Sequence, residues 1–336
     1  RNAYVSTFLT ADEALAFGQK MEYCFGHEKV VAQLLLKSRG NYKTIMKFLS
    51  ETPRAERELA YYLLLSISDK DLRDVNIWVL RDHMKHTARN GAYDEVYRNY
   101  ILNPRVSNEM ITPYKGFFKR RFDADERRYF AGDPQRWVKW CRENITIDAT
   151  WNPLSLCMSP KGVWNMRVAD PHSRDIFFVS GARAMGIPAR IDEVTGKTQY
   201  MENYKWVDVD FDVVATETRN APQGTLKASF TPTRFIDNPR YYSHFSISKI
   251  VDGRLQLLGY PEEGVTWESL LKDGTPLDAG DYFMMTGTRM ADGSVLAHLT
   301  FFTIEEGKEN HLQYVQRESS EKLQVIGDFN SENLFF

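Results

Sequence analysis

The residues best placed to do chemistry stand together in Asp170-Pro-His-Ser-Arg-Asp175, which opens an apolar stretch reaching Met185. Asp170 or Ser173 can cap a helix there, and Pro171 suits its first turn, where a missing N–H has no partner anyway. Ile176, Phe177, Phe178 and Val179 leave the middle of that helix almost no polar side, so burial is expected. Its open start would offer free N–H groups and a positive dipole end, the setting that lowers the pKa of a thiol or steadies an anion. No thiol follows Met158, however, and Cys24, Cys141 and Cys157 are odd in number and unrelated in spacing. They form neither a disulfide framework nor a zinc site and read as small buried hydrophobes. Ser173 is the nucleophile left, with His172 beside it, but neighbours on a helix do not face each other. His83 and His86 are three apart on one helix and could offer two imidazoles to a metal. No third ligand stands at a telling position, a solvated face explains the pair more simply, and no metal or cofactor is expected.

Elements that would position these groups are set by periodicity. Residues 1–130 read as helices: one opened by the capping box Thr10-Ala-Asp-Glu13 and reaching about Met21, then 28–37, 41–50, 54–67 and 71–88. Asn103-Pro104 breaks the helical pattern, and Ser107 or Asn108 can cap the next helix. A further helix fits Asp133 to Asn144, with Trp137, Trp140 and Cys141 on one side. Residues 151–162 read as loop, and Trp164–Val168 as a strand or the rim of a cleft. Gly186 ends the central helix, and Ile187-Pro188 leaves it extended. After Asp212 the period becomes two. Strands are expected at Thr225–Pro232, Tyr241–Ile250, Leu255–Tyr260, Asp281–Arg289, Ser294–Ile304, Leu312–Arg317 and Leu323–Phe329. Met290-Ala-Asp-Gly293 should turn the clearest hairpin. The fold class is therefore α+β. A helical domain is expected over 1–130, an α+β core over 131–218 and an antiparallel β-sandwich over 219–318. Residues 319–336 would be a terminal strand or the start of a further segment.

Gly186-Ile-Pro-Ala-Arg190 after a buried helix, with Trp206-Val-Asp-Val-Asp210 downstream, resembles the core of the transglutaminase-like superfamily of papain-like folds. The resemblance covers roughly residues 134–212. It implies a nucleophilic Cys at the helix N-terminus and a His and an Asp on two adjacent strands. Counting back from Arg183 without a gap puts Pro171 at the Cys position; a two-residue deletion puts Ser173 there, so that Ser173-Arg-Asp175 mimics the family's Cys-x-Asp. No His occurs between Ile191 and Trp206. The Asp survives as Asp210, with Asp208 beside it. Asn103-Pro-Arg105 and Asn108-Glu109 also resemble a segment that precedes this core in bacterial envelope proteins. Arg105 and Glu109 would then line the cleft or, preferably, form an ion pair holding the helical layer to the core.

What the resemblance implies is a catalytically degenerate domain that binds a peptide or a glycan in a vestigial cleft. Ser173, His172, Asp208 and Asp210 are the vestigial catalytic candidates. The binding candidates are Trp164, Arg105, Glu109, Asp175, Arg190, Tyr200 and Trp206, with Trp164 foremost as a flat apolar wall. A Ser173-based hydrolase or acyltransferase and a purely structural spacer are the alternatives. The same resemblance implies an exported protein, periplasmic or at the cell surface. Composition adds bounds. A formal net charge of −2 over 336 residues gives no reason to expect nucleic acid, and no apolar run reaches the ~20 residues of a membrane helix.

Overall fold

The computed structural model of the chain describes residues 8–21, 27–89, 93–212 and 220–320. It contains helices and sheets and divides into two compact units, one of Arg1–Ile191 with Lys197–Thr218, the other of Asp192–Gly196 with Arg219–Phe336. The helical region and the α+β core, expected as separate domains, thus share the first unit.

In that unit, α1 (Ala11–Lys20), α2 (Glu28–Lys37), α3 (Tyr42–Glu51), α4 (Arg57–Ser66), α5 (Asp69–Asp74), α6 (Ile77–His86) and α7 (Glu95–Tyr97, widening into a π-type turn to Leu102) enclose one apolar cluster. Local signals set their ends. Thr10 and Glu13 form the expected capping box, with the Glu13 carboxylate 2.9 Å from the Thr10 amide. The helix expected over 71–88 is two helices: Val75 and Asn76 are extended, and Asn76 Oδ1 accepts from the Trp78 amide at 2.9 Å. A good N-cap residue inside an apolar pattern competes with helix continuation, and here it wins. Neither Ser107 nor Asn108 caps a helix; the next one begins at Tyr114.

A second cluster gathers α8 (Tyr114–Arg121), α9 (Ala124–Ala131), α10 (Gln135–Asn144), α11 (Pro160–Met166) and α12 (Pro171–Met185). The division between the two clusters falls at residues 103–113 rather than near 130. Trp164, expected in a strand or on a rim, lies in α11. The centre is α12, capped by the Asp170 side chain, with Pro171 at its first position and Gly186 closing it at φ 85°. Gly181 lets Trp137 approach: a Cβ there would stand 2.3 Å from the indole ring, whose Nε1 donates to the Phe178 carbonyl at 2.9 Å. The pair β1 (Thr146–Ile147) and β2 (Val168–Ala169) is parallel, and β3 (Ala189–Ile191), β4 (Thr198–Glu202) and β5 (Lys205–Asp208) form an antiparallel sheet in sequence order.

The second unit holds seven strands among its described residues, in two sheets that share one core. They are β6 (Gln223–Phe230), β7 (Phe245–Val251), β8 (Arg254–Leu257), β9 (Thr275–Asp278), β10 (Gly280–Arg289), β11 (Val295–Ile304) and β12 (Glu309–Tyr314). One sheet runs β11-β10-β7-β8, the other β12-β6-β9. The expected hairpin is present, with Arg289 opposite Val295 and Gly280 opposite Ile304. Two features depart from expectation: β9 is an added strand, and β12 pairs with β6 in parallel. Pairing between segments some 80 residues apart leaves no local trace in a two-residue pattern. The strand expected at Leu323–Phe329 lies outside the described residues.

Candidate functional site

At the start of α12, Ser173 is fully buried. Its hydroxyl donates to Asp170 Oδ2 at 2.7 Å and accepts from the Met158 amide at 3.0 Å, while Asp170 Oδ1 takes the Ser173 amide. Asn152 donates to Asp170 Oδ2 at 2.7 Å and so ties the 152–156 loop to the helix start. Burial works against the Asp170 charge, but these bonds from Ser173 and Asn152 hold its carboxyl below the usual carboxylate range. A carboxylate beside a serine is a poor substitute for an imidazole as base, and this one already caps the helix.

His172, exposed, turns away from Ser173: its Nε2 lies 2.9 Å from Asn108 Oδ1. The Cys157 thiol donates to the same oxygen at 3.0 Å. Cys157 is half-buried and polar in its contacts, which corrects its reading as a small core hydrophobe; Cys141 is buried as expected, and Cys24 lies outside the described residues. Burial, then the carboxylates of Glu109 and Asp170, push the Cys157 thiol above its ordinary pKa. Asn108, Cys157 and His172 come from three segments, and no spacing in the sequence links them.

On the other side of the helix start, Asp175 lies beside the Thr198 hydroxyl on β4 without a formed hydrogen bond. Burial raises its carboxyl above the ordinary value, opposed by Arg174 and His172. Next to Thr198, Gln199 stands cross-strand from Asp208 and donates to Asp208 Oδ1 at 2.7 Å, while Lys197 Nζ reaches Oδ2 at 2.6 Å. Arg190 donates to Gln199 Oε1 at 2.9 Å and lies 4.2 Å over the Trp206 ring, which meets Tyr100 edge-on. Tyr200 is buried, its hydroxyl accepting from Gln135 at 2.7 Å. Asp210 is exposed and accepts from the Asp212 amide. Helix start and strand end thus meet through Asp175 and Thr198, with Asp208 in the adjoining strand.

The other candidates have structural work. Arg105 pairs with buried Asp71 and also donates to the Ser107 and Glu109 carbonyls, so the ion pair forms with a different acid from the one expected. Glu109 accepts from the Val106 and Ser107 amides at 2.8 Å. Trp164 stacks on Trp140 at 5.2 Å and carries the Arg167 guanidinium 4.1 Å over its ring, so it belongs to the aromatic core more than to a ligand wall. His83 is buried, not on a solvated face, and bonds the Thr112 carbonyl. Among the described residues no group of three acids, histidines or cysteines could hold a metal. What the surroundings do offer is apolar surface. Trp151, Leu154 and Leu156 in the tied loop are 64–76 % exposed, and Met110 beyond Asn108 is 80 % exposed.

Compared with known proteins, the chain matches no family model, no curated protein and no solved structure.

Proposed function

We propose that this chain is a catalytically silent transglutaminase-like module, exported to a bacterial envelope, whose α12 start binds an extended peptide or glycan. The observation that carries the silent reading is the purely structural hydrogen bonding where acyl-transfer groups would stand. The Ser173 hydroxyl donates a hydrogen bond to the capping Asp170 carboxylate. In this reading Gln199 occupies the strand position of the family's His, facing Asp208 across β4 and β5. A glutamine amide cannot accept and return a proton near neutral pH as an imidazole does. Exposed Trp151, Leu154, Leu156 and Met110 beside that start favour a ligand with apolar side chains, and hence a peptide over a glycan. No helix among the described residues is long and apolar enough to cross a membrane; the resemblance is what supports an envelope location.

The test combines turnover and binding. Purified protein is offered amine-donor and glutamine-peptide substrates and an immobilised peptide library, alongside Ser173→Ala and Trp151→Ala. The expected result is no turnover, with saturable peptide binding weakened about tenfold by Trp151→Ala, the loss typical of one interface aromatic. Turnover abolished by Ser173→Ala would overturn the silent reading. A second reading rests on Cys157 and His172 both donating to the Asn108 oxygen, which brings an imidazole and a thiol to one acceptor. His172 would serve as base for the thiol only on giving up that bond. The raised thiol pKa argues against it, and turnover lost in Cys157→Ala but kept in Ser173→Ala would establish it.

A further inference from the structure

The four-stranded sheet of the second unit carries large apolar side chains on both faces. Its inner face supplies Tyr282, Met284, Ile247 and Ile304 to the core. Its outer face presents Leu255 and Leu257 on β8, Met285 on β10, and Val295, Leu299 and Phe301 on β11, each 44–69 % exposed. Single exposed apolar residues are ordinary. Phe283, Met285, Val295, Leu299 and Phe301, however, form one contiguous patch on β10 and β11, with Ser246 and Ser248 of β7 between it and the β8 leucines. Such a patch marks an interaction surface. A sheet with one solvated side would alternate apolar and polar residues along each strand. On the outward alternation β11 instead reads Val295, Ala297, Leu299 and Phe301 before its first polar residue, Thr303.

The arrangement of this face fits itself. Outward-facing β10 residues run Asp281, Phe283, Met285, Gly287 and Arg289, symmetric in position about Met285 with opposite charges at the two ends. The β11 residues opposite them run Thr303, Phe301, Leu299, Ala297 and Val295. Rotation about an axis parallel to the sheet plane, across the strands at Met285 and Leu299, lays β10 antiparallel on a second β10 and β11 on a second β11. Asp281 then faces Arg289 of the other copy. The ring pair Phe283 and Phe301, 5.0 Å apart, faces the hollow left by Gly287 and Ala297. The four strands have 10, 10, 7 and 4 residues, so at about 3.3 Å per residue and about 4.8 Å between strands the footprint is on the order of 500 Å² before side-chain relief. Side-chain relief raises this toward the ~800 Å² each partner gives to a stable interface.

We propose that this face is a two-fold interface, and that the chain is a dimer formed by aligned packing of the two β8-β7-β10-β11 sheets. Charge placement and the ring-to-hollow match both commit the occupant to a second copy rather than to an unrelated partner.

The test uses the full chain in sedimentation equilibrium up to about 100 µM, the range in which an interface of this size associates. A dimer is expected. Leu299→Glu sets like charges against each other across the axis and should raise the dissociation constant at least about 100-fold, with an unchanged circular-dichroism spectrum. Asp281→Arg alone should weaken the dimer about tenfold, and Asp281→Arg combined with Arg289→Asp should restore it to within about threefold. Because facing sheets stand ~10 Å apart, Met285→Cys should give a Cys-to-Cys peptide with a short bismaleimide, read by mass spectrometry, while Val251→Cys should not. A monomer throughout the range, a dimer that survives Leu299→Glu, or a charge exchange that fails to restore association would each overturn the proposal.

Discussion

In the first unit the buried side chains include Asp71, His83, Glu109, Lys115 and Arg183; in the second, Asp278 is the charged one among the described buried residues. The difference follows the backbone. Beyond the π-type turn that ends at Leu102, residues 103–113 join two helical clusters without helix or strand, and the carbonyls of Ile101, Leu102, Asn103 and Arg105 are met by buried cations. Lys115 donates to the Ile101 and Leu102 carbonyls at 2.6 and 2.8 Å and to Thr87, and Arg183 takes the carbonyls of Asn103, Arg105 and Ala189. Sheets satisfy their own carbonyls, and the second unit needs fewer helpers. Tyr241 and Tyr282 hydroxyls, with Thr286 and Thr288 reaching the Val315 and Arg317 carbonyls, serve that need. Buried charge here marks irregular backbone, because several donors on one long cation can serve several scattered acceptors.

The strongest way to break this comparison is Arg183→Met, which keeps the bulk and strands three carbonyls. It should destabilise the first unit by about 3–5 kcal/mol, read as a lower urea midpoint for helix loss. A loss below about 1 kcal/mol would show that water or backbone adjustment serves those carbonyls equally well. A smaller effect is expected in the second unit from Tyr241→Phe. The hydroxyl that donates to Leu258 and accepts from the Ile247 amide would vanish, for about 1–2 kcal/mol, read by hydrogen exchange in β7.

The smallest effect concerns pH and sharpens the comparison further. Burial, followed by the nearby Lys115 charge, holds the His83 imidazole well below its ordinary value. Between that lowered pKa and about 6.5 the unfolded chain binds a proton that the folded chain refuses. Stability from His83 is therefore whole above about pH 6.5 and falls as the pH drops through this window, by at most about 1.4 kcal/mol per unit. Hydrogen exchange in α6 between pH 7 and 5 should show that slope in the parent, and His83→Gln should flatten it. An unchanged slope would place the acid sensitivity elsewhere.

How far these features were legible depends on the distance over which they are decided. Thr10 with Glu13, Asp170 with Pro171, and Gly186 each act within one helical turn, so the ends of α1 and α12 were readable in one dimension. The β10–β11 hairpin was readable too, since its turn and its alternation adjoin. Asn76 was also readable in principle, as a capping residue inside an apolar pattern; the pattern misled because α5 and α6 bury the same kind of face. His83 misled for a related reason: helical spacing tells which residues share a side, not what covers that side.

The sequence by itself determined the α+β class, most helix and strand positions, and the absence of a Cys at the start of α12. Those depend on local propensity, period and residue identity. Only the tertiary structure decided that Cys157 and His172 meet at Asn108, that β12 joins β6 in parallel, and that Trp164 stacks into the core. It also decided which alternation of β10 and β11 stays open to solvent. Each of these is a contact between segments whose order in the chain carries no record of their distance in space, because packing selects partners by shape and buried area after the local elements exist.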